Sequence, residues 1–206
     1  MNLRYTGMYF PSNKGKCNST KHYTYIMIPK NASMSFRECG IFVGRKHLSE
    51  KDNFQAHANP IMIFREPVAR FISIFHWDLR KNTFQPQNKN QPLVDSFSEF
   101  VGQMEQQFAG LAAPQVEYLK RGKLTLDDIH TVMRVEHLSQ DFNRFKIKEN
   151  LTTTLLTENY RDKDDTIEKF LEANPAMVNR IRKLYAEDVE LYKEVEERIR
   201  KEEEQE

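Results

Sequence analysis

The sequence predicts an α/β fold of three layers, with a small parallel sheet and helices on both of its faces. Three observations carry that expectation. Short apolar runs rich in β-branched and aromatic residues recur, and each is followed by a segment of helical period. The clearest such segment begins at Pro67 and repeats apolar residues at Val68, Phe71, Ile72, Phe75 and Leu79, one face of an amphipathic helix. The third is length: 206 residues are enough for one α/β domain with a real core and too few for two comfortable ones.

Residues 1–22 are polar and punctuated by Pro11 and Gly15, an irregular lead-in. Tyr23-Thr-Tyr-Ile-Met-Ile28 reads as a buried strand that stops at Pro29. A helix is expected from about Ser33, with Phe36 and Ile41 among its apolar contacts. Ile61-Met-Ile-Phe64 is a second buried strand, and Pro67 then stands where a first-turn proline belongs. Residues 81–92 hold two prolines and no period, hence a loop, followed by a helix through Phe97, Phe100 and Met104. Thr131-Val-Met-Arg-Val135 reads as a third strand, leading into a helix with Leu138, Phe142 and Phe145. Residues 164–200 are helical by pattern with a break at Asn174-Pro175, and Val189, Tyr192, Val195 and Ile199 give the last helix an apolar stripe. The domain is expected to span residues 23–192, with 193–206 a charged, solvated helix end whose Val195/Ile199 stripe is open to a partner helix. Trp77 and the Phe71/Phe75 face are expected in the core.

Hydrophobic residues at 39% and charged residues at 30%, with a net charge of +1, describe an ordinary globular chain rather than a disordered or nucleic-acid-coating one. The charge is uneven. Residues 1–80 hold twelve Lys/Arg against five Asp/Glu, which suits an anionic ligand, while residues 186–206 hold four against ten. Cys17 and Cys39 are the only cysteines, so neither a disulfide framework nor a cysteine zinc site is expected. No run reaches the roughly 18 apolar residues of a membrane span, and the amino end has no signal-peptide pattern. The expected location is cytoplasmic, a lumenal domain cut from its anchor being the alternative.

Two strand-to-helix junctions carry the chemistry. In Ile28-Pro-Lys-Asn-Ala-Ser-Met-Ser-Phe36 a strand ends and the chain turns through small polar residues into a helix. The free amides of that helix start, with Lys30, Ser33 and Ser35, suit an anion, although a plain strand–turn–helix with serine caps has the same pattern. The glycines of a Walker loop are missing. In Phe64-Arg-Glu-Pro-Val-Ala-Arg-Phe-Ile-Ser73, Arg65 leaves a strand at the carboxyl edge of the sheet, where a guanidinium can grip a phosphate in bidentate fashion. Ser73 lies off the apolar stripe. The competing reading pairs Arg65 with Glu66 or another carboxylate.

Taken together, the two segments resemble the sulfotransferases that use 3′-phosphoadenosine-5′-phosphosulfate (PAPS), in particular their carbohydrate-type branch. Pro29-Lys-Asn-Ala-Ser-Met-Ser35 looks like that family's 5′-phosphosulfate loop, and Phe64-Arg-Glu-Pro-Val-Ala-Arg-Phe-Ile-Ser73 like its 3′-phosphate motif, with Glu66 in place of the commoner Asp. Arg134-Val-Glu-His-Leu-Ser-Gln-Asp-Phe142 and Leu184-Tyr-Ala-Glu-Asp-Val-Glu-Leu-Tyr192 look like further, less specific family segments, so the resemblance reaches from about residue 23 to residue 192.

The resemblance implies a P-loop-like fold and no metal in the chemical step. It also implies that Lys30, Asn31, Ala32, Ser33, Met34 and Ser35 hold the 5′-phosphosulfate while Arg65 and Ser73 hold the 3′-phosphate. A cation at the leaving phosphate stabilises the charge that builds there, and Lys30 is the candidate. The acceptor hydroxyl or amine needs a base, and histidine suits neutral pH. His47, in Lys46-His-Leu-Ser-Glu50, comes first and His57 second, with His76 or a carboxylate as the remainder. Arg161 and Lys163 are candidates for a late basic loop over the nucleotide. The loop at 81–92 and the segment at 105–125 are expected to shape the acceptor site. Two rivals stay open: a small-molecule kinase of P-loop-like fold, and a nucleotide-binding module without catalysis. No nucleic-acid partner is expected.

Overall fold

A computed structural model describes residues 23–32, 42–46, 59–108, 110–154 and 164–205. Four strands form one parallel sheet: β1 (Tyr23–Ile26), β2 (Phe42–Lys46), β3 (Pro60–Phe64) and β4 (Thr131–Arg134), in the order β2-β1-β3-β4. Among the described residues seven α-helices accompany them: α1 (Pro67–Lys81), α2 (Leu93–Gln106), α3 (Val116–Gly122), α4 (Leu138–Lys148), α5 (Thr166–Ala173), α6 (Pro175–Leu184) and α7 (Ala186–Glu203). The expected mixed α/β class with a small parallel sheet is what the chain forms.

Successive strand residues point to opposite faces, and both faces are apolar here. Ile26, Met62, Phe64 and Val132 pack on one side against Tyr118 and Leu119 of α3 and Leu191, Val195 and Ile199 of α7. Tyr23, Tyr25, Ile61, Ile63 and Met133 pack on the other against Phe142 and Phe145 of α4. Beside the sheet, α1, α2, α5 and α6 share a third core, where Phe71 and Phe75 meet Phe97 and Phe100 at 5.1–5.7 Å. Edge-to-face contacts such as Phe75–Phe97 contribute about 1 kcal/mol each beyond the area they bury.

α1 begins and ends as its sequence dictates. Glu66 caps it by accepting a hydrogen bond from the Ala69 amide at 2.7 Å, Pro67 fills the first turn, and Asn82 closes it in the left-handed region at φ 54°. The break at Asn174 separates α5 from α6, as expected. A second break at Tyr185, between α6 and α7, is not signalled by any proline or glycine.

Three features depart from the sequence reading. β2 is a strand to which the sequence assigned no element, while the helix expected from about Ser33, with Phe36 and Ile41 among its contacts, lies outside the described residues. Its Phe-Val-Gly-Arg-Lys run is charged, as edge strands tend to be, and β1 rather than local propensity makes it a strand. α3 was not anticipated in the 105–125 segment. Finally, Val195 and Ile199 are buried against the sheet, so α7 continues through residue 193 as part of the core and the stripe is already covered. Among the described residues no helix is long and apolar enough to cross a membrane.

Candidate functional site

The strand order decides where a site can lie. The chain leaves β1 toward one edge, to β2, and returns to β3 on the other side of β1. β1 and β3 are therefore neighbours at a point where the order reverses, and the loops leaving their carboxyl ends face each other. Open α/β sheets form ligand crevices at such points. Both sequence motifs sit there: Pro29–Ala32 follows β1, and Arg65–Glu66 follows β3.

The first loop is tightly turned. Lys30 and Ala32 both adopt left-handed backbone, at φ 69° and 53°, although neither is glycine. Such residues cost of order 1 kcal/mol each and persist only where the surroundings hold them. Those surroundings are visible. The Asn31 amide donates to Ile28 O at 3.3 Å, closing the turn. Its carboxamide nitrogen donates to Ile63 O at 2.8 Å and to Gln115 Oε1 at 2.5 Å, and the Tyr25 hydroxyl donates to Asn31 O at 3.1 Å. Asn31 is fully buried. Its amide donates within the turn and its side chain positions the loop.

The second motif reaches across to the first. Arg65 Nη1 donates to Lys30 O at 3.2 Å. Arg70 is 1% exposed and ties three segments together, its Nε donating to Pro29 O at 3.3 Å and its Nη2 to Leu111 O at 3.0 Å. Burial pulls both guanidinium pKa values below the ordinary arginine range. Glu136 opposes that shift at Arg65, and the Tyr185, Asp188 and Tyr118 charges oppose it at Arg70. Buried nitrogens of both arginines, Arg65 Nε and Arg70 Nη1, and the oxygen Asn31 Oδ1 have no hydrogen-bond partner.

Gln115 is the hub that the sequence did not reveal. Its side chain accepts from the Arg65 amide at 3.0 Å and donates to Arg65 O at 2.8 Å, besides holding Asn31. Its own amide and that of Val116 donate to the Asp188 carboxylate at 2.7 and 2.9 Å. Burial raises the Asp188 pKa, and those two N–H donors act against the rise. Asp188 lies in one of the segments that carry the family resemblance, but nothing local predicts its contact 73 residues away.

Lys30 packs against Trp77 of α1, the helix that also carries Ser73. The Lys30 ammonium lies 4.6 Å from the centre of the Trp77 ring, and Ser73 stands one turn before Trp77 on the same side of the helix. Trp77 is half-buried, with Arg80 and Lys81 also within 5.2 Å of its ring. It is a platform for cations, not the core residue the sequence suggested. Phe71 and Phe75 are core, as expected.

Beyond Arg65 lies Glu136, in the turn after β4. Its carboxylate accepts from the Glu66 amide at 3.2 Å and from the Tyr192 hydroxyl at 2.8 Å, and stands 3.9 Å from Arg65 Nε. The pairing of Arg65 with a nearby carboxylate is therefore real, but the carboxylate is Glu136 rather than Glu66, which caps α1.

Of the predicted site residues, the structure brings Lys30, Asn31, Ala32 and Arg65 together at one sheet edge and sets Ser73 on the helix that borders it. Ser33, Met34, Ser35, His47 and His57 lie outside the described residues, as do Arg161 and Lys163. β2 ends at Lys46, which pairs with Ile26, so the strand preceding His47 ends at this same edge. Compared with known proteins, the chain matches no family model, no curated protein and no solved structure.

Proposed function

We propose that the chain is a PAPS-dependent sulfotransferase of P-loop-like fold acting on a hydroxyl or amine, with a carbohydrate or other small hydroxylated acceptor. The observation that carries this reading is the contact of the two motifs. Two segments 35 residues apart, each resembling one half of a PAPS site, sit side by side at the switch point, with Arg65 bonded to the backbone of Lys30. Two cationic side chains and a strained loop at that edge suit a ligand with two separate anionic groups, which PAPS is.

In this reading the acceptor oxygen or nitrogen attacks sulfur in line while the bond from sulfur to the bridging phosphate oxygen breaks. The sulfuryl group passes to the acceptor, 3′-phosphoadenosine-5′-phosphate (PAP) leaves, and the acceptor proton goes to the base, His47 first and His57 second. Negative charge grows on the bridging oxygen, where the Lys30 ammonium stabilises the transition state more than the ground state. Loss of Lys30 should cost on the order of 10²-fold in rate. Arg65, with Ser73, takes the 3′-phosphate and so distinguishes PAPS from nucleotides that lack one.

Isothermal titration with PAP, ATP and ADP, repeated on Arg65→Ala, tests the donor site. The expected result is PAP binding without Mg²⁺, weak ATP binding, and loss of PAP binding in the variant. Equal or tighter binding of ATP that requires Mg²⁺ would point instead to a kinase. PAP binding without turnover on any acceptor would point to a binding module. Trp77 is the chain's only tryptophan and touches Lys30, so its emission offers a second readout of the same titration.

A further inference from the structure

The Arg65–Glu136 pair is unlike the Arg134–Asp141 pair at this end of the sheet. Arg134 and Asp141 make a full set of charge-assisted bonds: Nε to Oδ2 at 3.1 Å and Nη2 to Oδ1 at 2.9 Å, with the Arg134 amide adding a third at 2.8 Å. That is how a structural pair settles. Glu136 instead gives its two oxygens to neutral donors, the Glu66 amide and the Tyr192 hydroxyl, and stays 3.9 Å from Arg65 Nε, beyond hydrogen-bond reach. Arg65 Nε is buried and has no hydrogen-bond partner. The carboxylate thus compensates the charge of Arg65 without satisfying its donors.

We propose that Glu136, fixed by Tyr192 of α7, is the resident counter-ion of Arg65 and limits how tightly Arg65 holds an anionic group. This rests on the reading that Arg65 receives the 3′-phosphate. A phosphate in contact with Arg65 brings up to about two negative charges close to a carboxylate that is itself held in place. Their repulsion offsets part of the attraction to Arg65. The consequence is a donor site tuned to release PAP, since an uncompensated guanidinium would hold the product more firmly.

The test is isothermal titration of the full chain and its Glu136→Gln variant with PAP and with adenosine 5′-phosphate, which lacks the 3′-phosphate. Glutamine removes the charge and keeps an oxygen for the Glu66 amide, while its NH2 can donate to the Tyr192 hydroxyl oxygen in place of the bond the carboxylate accepted. The expected result is PAP binding about tenfold tighter in the variant, the scale of one screened like-charge contact, with adenosine 5′-phosphate unchanged. Unchanged or weaker PAP binding would overturn the inference and leave the donor site standing. A gain shared equally by adenosine 5′-phosphate would also overturn it, because the charge would then not act at Arg65. Absence of PAP binding in both proteins would overturn the donor-site reading and this inference with it. Should Glu136→Gln not fold, Tyr192→Phe carries the test. It frees the carboxylate to turn toward solvent, so PAP binding should tighten by about threefold, and no gain would overturn the inference.

Discussion

The sheet edge around Arg65 and the outer surface of α7 are both dense in charged and polar bonds, yet they are built in opposite ways. On α7 most of the ion pairs are local, although Lys120 reaches Glu187 and Arg144 reaches Glu203 from other helices. Arg200 pairs with Glu197 and Glu204, Lys201 with Glu197, and Lys193 with Glu190, all within one turn of the same helix and about half exposed. At the sheet edge the bonds are few, buried and long-range: Asn31 to Ile63 and Gln115, Gln115 to Asp188, Arg70 to Pro29 and Leu111. An exposed pair trades one hydrated state for another and contributes little. A buried group that loses its partner keeps the whole cost of desolvation. The number of polar contacts therefore says little about which region the fold depends on. Arg198 on α7 combines the two styles, pairing with Glu202 one turn on and donating to Ile129 O at 2.8 Å, which ties the helix end to the sheet layer.

The contrast is broken most severely at Arg70. Arg70→Ala strands the Pro29 and Leu111 carbonyls and should cost about 3–5 kcal/mol, read as a lower urea midpoint. Next comes the link between Asn31 and Gln115. A double-mutant cycle with Asn31→Ala and Gln115→Ala should show coupling of about 1–2 kcal/mol, because the two side chains share one buried network; additive effects would mean separate roles. Removing the helix cap with Glu66→Ala should cost about 1 kcal/mol in the same assay. The smallest effect belongs to the surface. Arg180 grips Glu105 at 2.7 and 2.9 Å and holds its carboxyl below the ordinary 4.5. The folded value lies below the unfolded one. Any stability from this pair is thus complete above pH 4.5 and lost as pH falls through the lowered folded value. Both partners are largely exposed, so Glu105→Gln should cost at most about 0.5 kcal/mol at neutral pH and flatten that slope.

Legibility in the sequence follows the range of the interactions. The course of α1 was readable because its signals are local: a first-turn proline and an apolar residue every third or fourth position. The strands at Tyr23 and Ile61 were readable because parallel strands buried on both faces appear as short continuous apolar runs. The same local logic found Lys30 and Arg65, each at the end of such a run. β2 was not readable, since a charged edge strand owes its form to the neighbour it pairs with. Trp77 was misread for a related reason: an aromatic residue beside a core stripe looks like core until the basic side chains that cover it are located.

By itself the sequence determined the α/β class, the course of α1, the buried strands and the two motifs that place cations at strand ends, because all of these depend on spacing within one or two turns of chain. Only the tertiary structure decided that β1 and β3 are neighbours, and so that Lys30 and Arg65 share an edge. It likewise decided that Gln115, Asp188 and Glu136 belong to that edge at all. Those residues act through contacts spanning 50 to 84 positions of chain. No local pattern encodes such a contact, since it is selected by the packing of whole elements rather than by the residues that happen to make it.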